Sequence, residues 1–139
     1  GANIIIHPKT IKAHKAALDS AIAGLRYGGI GVNTWCALAF LGAGAAWGAY
    51  PGHTLDDIQS GNGVVHNAFL FDKPQKTVAT GPFRNFPRSI LSGDLHMAPR
   101  PPWFITNKTA HKTAERLTYL IGTGNLLSLP GIFTSALRG

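Results

Sequence analysis

The sequence predicts an α/β fold: a few strands packed with helices, followed by a Pro-rich and partly helical C-terminal extension. Three observations carry this expectation. The β-branched run Asn3-Ile4-Ile5-Ile6-His7 is stopped by Pro8, as a short buried strand would be. Leu18, Ile22 and Leu25 then recur at helical spacing, with Lys12, Lys15 and Asp19 largely off that face. After Gly81-Pro82 the composition changes, and Pro82, Pro87, Pro99, Pro101 and Pro102 mark an extended segment suited to wrapping over a surface.

Taken in order, the first helix is expected from about Ile11 to Tyr27, ended by the backbone freedom of Gly28-Gly29. Ile30 to Asn33 reads as a second buried strand, Thr34 to Ala46 as an apolar stretch without a clean period, and Trp47 to Gly52 as a turn. Thr54 with Asp57 three residues on resembles an acidic capping box opening a short helix that Gly61 ends. Val64 to Phe71 and Lys76 to Thr80 read as strands. Asn107 is placed to cap a helix reaching about Ile121, with Ala110, Ala114, Leu117 and Ile121 on one face and Gly122 as its stop. A last short helix is expected from Ser128 towards Leu137. The domain division that follows is 1–83 and 84–139.

Composition narrows the class. The chain has 139 residues, 45% hydrophobic and only 14% charged, so part of its surface is expected to be covered by a partner or by the rest of a longer chain. The lone Cys36 allows no internal disulfide and no cysteine metal cluster, and points to a reducing, cytoplasmic setting. No basic, then apolar, opening segment suggests a signal peptide, and Gly1-Ala2-Asn3 reads as a cleavage boundary. From Tyr27 to Leu55 there is no Asp, Glu, Lys or Arg. Asn33, Thr34, Pro51 and many glycines nevertheless break the block, so a membrane span is not expected.

The net charge of +7 lies in the second half. Residues 1–72 balance Lys9, Lys12, Lys15 and Arg26 against Asp19, Asp56, Asp57 and Asp72, whereas 73–139 set nine basic groups against Asp94 and Glu115 alone. Arg84, Arg88 and Arg100 are interleaved with Phe83, Phe86, Trp103 and Phe104, a mix that could stack on single strands. The alternative reading of the chain is accordingly a basic module for nucleic acid or an anionic membrane surface. No recognised nucleic-acid motif accompanies the mix, and neither partner is the expected one.

Leu25-Arg26-Tyr27-Gly28-Gly29-Ile30-Gly31-Val32-Asn33 resembles the helix end, Gly turn and Val-Asn strand near the carboxy terminus of the aldehyde dehydrogenase superfamily. Trp47-Gly48-Ala49-Tyr50 resembles that family's aromatic-Gly-Gly turn, and Gln75-Lys76-Thr77-Val78 its closing strand. The three motifs stand in the family's order and cover residues 1 to about 83. The resemblance implies a partial aldehyde-dehydrogenase-like catalytic domain from a soluble, cytoplasmic oxidoreductase that converts an aldehyde to an acid. It also implies that the loop after the Val-Asn strand lines the substrate tunnel, making Trp35, Cys36, Leu38, Phe40 and the adjoining Trp47 candidate substrate-binding residues. An apolar aldehyde needs such uncharged walls. The strand Lys76 to Thr80 would contribute to a homo-oligomer contact, and the other implied partner is the remainder of the parent enzyme. Ala46-Trp47 in place of Pro-Phe, Pro51-Gly52-His53 in place of a basic-x-Ser-Gly, and about fifty-five further residues depart from the family pattern.

No catalytic residue is expected within the chain. In the family the nucleophilic cysteine and the carboxylate base precede this region. Gly42-Ala43-Gly44 lacks the third glycine of a dinucleotide fingerprint, Trp47 standing in its place. NAD or NADP is expected in the parent enzyme and no cofactor in this piece. Cys36 has only His53 nearby in sequence to activate it and is expected to be inert. His66 and Asn67, adjacent on a strand, would face opposite ways. Asp56-Asp57 reads as helix-start charge. His7, His14, His96 and His111 show no metal-ligand spacing, so no metal is expected.

Overall fold

Strand β2 (Gly29–Val32) lies at the centre of a three-stranded parallel sheet, between β1 (Ala2–Ile4) and the last strand of the first unit, Thr77–Thr80. In this computed structural model every residue except Ala43, Pro99 and Trp103 is described. The chain is α/β and divides into two compact units, Gly1–Phe83 and Arg84–Gly139. Prolines 82, 87, 101 and 102 of the expected extended segment fall among the described residues; Pro99 and the aromatic Trp103 lie outside them.

In the first unit, β1 leads into α1 (Pro8–Ala13) and α2 (Lys15–Gly24), which return the chain to β2 as a parallel crossover requires. The pairs Ala2↔Ile30, Asn3↔Gly31 and Ile4↔Val32 set the register on one side of β2, and Gly29↔Thr77 through Val32↔Thr80 set it on the other. All four residues of β2 are buried, Ile30 completely. A two-stranded antiparallel ribbon, β3 (Trp47–Gly48) with β4 (Val64–His66), precedes β5 (Thr77–Thr80).

Several expectations are corrected here. The Asn3 to His7 strand is shorter and is not buried. β1 is an edge strand, the ladder ends at Ile4, and Ile5 is 73% exposed. Its continuation is diverted because the Ile6 amide donates to Asn33 Oδ1 at 2.8 Å. The helix begins earlier than Ile11, since Pro8 occupies its first turn and His7 Nδ1 accepts the Lys9 amide at 3.1 Å. It then breaks at His14 (φ −131°, ψ 37°), giving two helices. Leu18, Ile22 and Leu25 share the half-buried side as their spacing requires.

Thr54 and Asp57 do interact, the Asp57 amide donating to Thr54 Oγ1 at 3.1 Å, but no helix follows. Gln59 lies in the left-handed region (φ 43°), a conformation that a right-handed helix does not continue. The Val64 to Phe71 strand stops at His66. There Asn67 accepts the Phe71 amide at 2.9 Å and donates to its carbonyl at 2.7 Å, closing a loop in place of a ladder.

Gly28 and Gly29 correct another expectation. Neither has positive φ, and α2 has already ended at Gly24. Their requirement is space. A Cβ on Gly28 would sit 1.9 Å from the Gly48 carbonyl oxygen, and one on Gly29 would sit 2.9 Å from the Trp47 ring. Lys76 ties the sheet to the helix: its Nζ donates to the carbonyls of Ile22, Ala23 and Leu25 at 2.9, 2.8 and 2.7 Å. These are carbonyls left without helical partners at the end of α2, and a cation there also opposes the negative end of the helix dipole. The same ammonium lies 5.1 Å from the centre of the Tyr50 ring.

In the second unit, α3 (Ala110–Thr123) packs against α4 (Leu129–Leu137). Gly124 (φ 67°) ends α3, two residues beyond the expected Gly122. Thr109 occupies the cap position expected for Asn107. Asn107 instead accepts the Thr109 amide and donates to the Arg100 carbonyl, both at 3.0 Å. The packed side of α3 also differs from the expected one. Ala110, Thr113 and Leu120 are half-buried, whereas Ile121 is 77% exposed. Polar bonds hold the pair: Thr109 Oγ1 donates to the Ser135 carbonyl at 2.6 Å, and Arg116 to the Gly131 carbonyl at 2.5 Å. In the segment before α3, the amide of His96 and then its ring hold the Asp94 carboxyl below its ordinary pKa. A depressed carboxyl stabilises the fold above its unfolded value, and that contribution disappears as pH falls through the folded one.

Gly28→Ala is expected to destabilise the first unit by about 3 kcal/mol, because backbone must move to admit the methyl group. Gly24→Ala, which meets nothing within 4 Å, should change stability little or raise it by up to about 1 kcal/mol. Lys76→Met should cost about 2 kcal/mol through the unpaired α2 carbonyls. Urea unfolding of each variant checks all three.

Candidate functional site

The candidate site is the uncharged loop between β2 and β3, and its position is set from both sides. Asn33 (φ 56°) turns the chain out of β2, and its amide donates to the Ile4 carbonyl at 2.8 Å. Asn3 reaches across from β1, where its Oδ1 accepts the Cys36 amide at 2.8 Å. The returning loop lies so close that a Cβ on Gly31 would stand 2.3 Å from the Thr34 carbonyl oxygen and 2.8 Å from the Cys36 amide. A 3-10 helix, Cys36–Leu41, follows and packs on β2 and β5, burying Ala39.

Four of the five sequence-predicted residues fall into two pairs, and Leu38 stands apart from both. Trp35 and Cys36 lie at the start of the 3-10 helix, with Trp35 exposed and Cys36 half-buried. The Cys36 sulfur is close to Gly1, where a Cβ would approach it to 2.6 Å. Phe40 and Trp47 instead meet edge to face, with ring centres 5.8 Å apart and planes at 73°. Leu38 is half-buried within the 3-10 helix, its amide donating to the Trp35 carbonyl at 3.1 Å.

Sequence reasoning missed the third member of the aromatic cluster. His66, on β4, stacks on Phe40 with centres 4.6 Å apart and planes at 16°. The register Trp47↔His66 brings it there, and only strand pairing could have revealed this. Its Nδ1 is buried without a hydrogen-bond partner among the described residues. Asn67 faces its own loop through its bonds to Phe71, so the two adjacent residues do not serve one site. The Trp47 ring lies against Gly29, and Thr77 Oγ1 donates to the Ala46 carbonyl at 2.5 Å, fixing the end of the loop to β5.

The Gly42 and Gly44 positions do not have the setting of a dinucleotide fingerprint. Gly42 and Gly44 follow a 3-10 helix and precede a turn, whereas the fingerprint joins a strand to a helix. A Cβ on Gly44 would meet the Phe69 ring at 2.7 Å, so that glycine faces a side chain and not an open phosphate cradle; Ala43 lies outside the described residues. Among the described residues no group of three or more His, Cys, Asp or Glu side chains is arranged to hold a metal ion. None of their helices is long and apolar enough to cross a membrane.

The second unit carries a separate feature, an open groove of about 1120 Å³ whose lining includes Arg84, Arg88, Arg100, Arg138, Phe133 and Leu137. Comparison with protein-family models, with curated proteins and with solved structures finds no match to this chain.

Phe40→Ala should destabilise the first unit by about 1–2 kcal/mol, since the ring is partly exposed but touches two aromatic neighbours. His66→Phe should instead raise stability by about 1 kcal/mol. It keeps the stacked ring and removes a buried nitrogen that has no hydrogen-bond partner among the described residues. Thermal and urea unfolding of the two variants side by side test the arrangement of the cluster.

Proposed function

We propose that this chain is a carboxy-terminal part of an NAD- or NADP-dependent aldehyde dehydrogenase, supplying a wall of the substrate tunnel and oligomer contacts while the nucleophile, base and cofactor fold lie elsewhere in the parent protein. The observation that carries the reading is the uncharged loop that leaves a fully buried Gly-Ile-Gly-Val strand and returns through an aromatic cluster of Phe40, Trp47 and His66. The order of this loop, the Trp47-Gly48 strand and the Lys76-Thr77-Val78 segment is the order on which the family resemblance of the sequence rests.

Two further features support it. Large apolar side chains are left open around the loop and the ribbon, among them Leu41, Val65, Phe69 and Leu70 at 68–83% exposure, which suits a surface covered by more protein. β5 is an edge strand whose far side has no strand partner among the described residues, and an edge of this kind is available for pairing with another subunit. Within this reading the chain's own residues exclude water from the aldehyde and orient its apolar portion; Cys36 lines the wall and does not react. A cytoplasmic location belongs to the same reading.

The test is kinetic. In the parent enzyme, Trp35→Ala and Phe40→Ala should raise KM for bulky apolar aldehydes by about 5- to 50-fold with a smaller change in kcat, as lost uniform binding does. Cys36→Ala should leave kcat within about twofold. Unchanged KM in both aromatic variants, or loss of turnover on changing Cys36, would refute the assignment.

A further inference from the structure

Four of the second unit's arginines line one concavity; Arg84, Arg88 and Arg138 are solvent-exposed and Arg100 is half-buried. Arg84 and Arg88 come from the segment that opens the unit, Arg100 from the loop before α3, and Arg138 from the end of α4. Arg100 is partly committed, its Nη1 donating to the Thr106 carbonyl at 2.8 Å. Arg84, Arg88 and Arg138 have no carboxylate within ion-pair distance among the described residues. The unit's two acids do nothing to neutralise them: Asp94 is engaged by His96, and Glu115 lies on α3 outside the groove lining. Guanidinium groups that line one groove with no carboxylate in ion-pair distance among the described residues favour a bound anion, and their planar forks match carboxylate and phosphate oxygens.

Beside the arginines, Asn85 and Thr134 are polar, and Phe86, Pro87, Leu91, Phe133 and Leu137 make the apolar part of the lining. Helix α4 presents one side to α3 through Gly131 and Ser135, and turns Phe133 and Leu137 into the groove. Leu91 and Phe86 face them from the opening segment, and Leu91 is 80% exposed and Phe133 63%. The volume of about 1120 Å³ lies just above the range of small-molecule sites. A single concavity of that size is unlike the long basic track that follows a nucleic-acid backbone.

We infer that this groove binds a soluble anionic amphiphile, a molecule with a carboxylate or phosphate head matched to Arg84, Arg88, Arg100 and Arg138 and an aliphatic tail matched to Leu91, Phe133 and Leu137. The inference rests on the second unit alone and does not depend on the proposed function of the first.

The test is calorimetric titration of the full chain with dodecanoate and dodecyl phosphate below their micelle-forming concentrations, beside inorganic phosphate and neutral dodecanol. Saturable binding of one amphiphile per chain is expected, at least tenfold tighter than either phosphate or dodecanol. The combined variant R84Q/R88Q should weaken it by tenfold or more with an unchanged circular dichroism spectrum, whereas K108Q/K112Q, which removes equal charge outside the groove, should not. The comparison among ligands needs no variant and decides the matter even where a substitution perturbs folding. The proposal is overturned by absence of binding, by inorganic phosphate binding as tightly as dodecyl phosphate, or by equal losses in the two paired variants. Binding confined to phosphatidylglycerol vesicles, or an arginine-dependent preference for a single-stranded oligonucleotide, would overturn it in favour of a membrane or nucleic-acid surface.

Discussion

The first unit depends on backbone approaching backbone where side chains would forbid it. Gly28 leads into the central strand of the sheet, and Gly29 and Gly31 lie on it. Around them lie the Gly48 carbonyl, the Trp47 ring and the Thr34–Cys36 backbone, each nearer than a Cβ permits. This closeness presses the ribbon and the uncharged loop onto β2, and it buries Ile30 and Val32 without a large hydrophobic core. Asn3 and Asn33 side chains accept the Cys36 and Ile6 amides and Lys76 donates to carbonyls, occupying polar groups that such tight packing would leave unpaired. Lys76 matters most among them because it links the end of α2 to the strand that closes the sheet.

Much of this was legible in the residues, for reasons that differ by element. β2 was readable because Ile30 and Val32 lie between glycines and beside a turn-prone Asn. The inward side of α2 was readable from the spacing of Leu18, Ile22 and Leu25, and α4 from its apolar run. The glycines before β2 were correctly singled out but given the wrong role, since local sequence does not show which distant backbone will press against a position. The helix after Thr54 failed because its capping pair formed while Gln59 adopted a conformation that no helix continues. Asn67 ended its strand early through a side-chain bond that competes with the ladder. In the candidate site, Phe40 and Trp47 were identified but His66 was not, because its place beside them is set by β3–β4 register and not by proximity in the chain.

The two units present different chemistry. The loop of the first is uncharged, aromatic and bounded by apolar surface, as a wall facing an apolar substrate should be. The role proposed for it is to shape a passage whose reactive groups come from elsewhere. The second unit combines convergent arginines with exposed aliphatic surface, which suits recognition of an anion attached to an apolar body.

The central claim, that this chain forms part of an aldehyde-oxidising enzyme without holding its catalytic groups, is tested most directly by following nicotinamide absorbance. The parent protein that the proposal implies and the isolated 139-residue chain would be assayed in parallel with NAD and NADP across a series of aldehydes. The account predicts aldehyde-dependent reduction by the parent protein and none by the isolated chain. Reduction by the isolated chain that disappears in Cys36→Ala, or no reduction by the parent protein with any aldehyde, would contradict it.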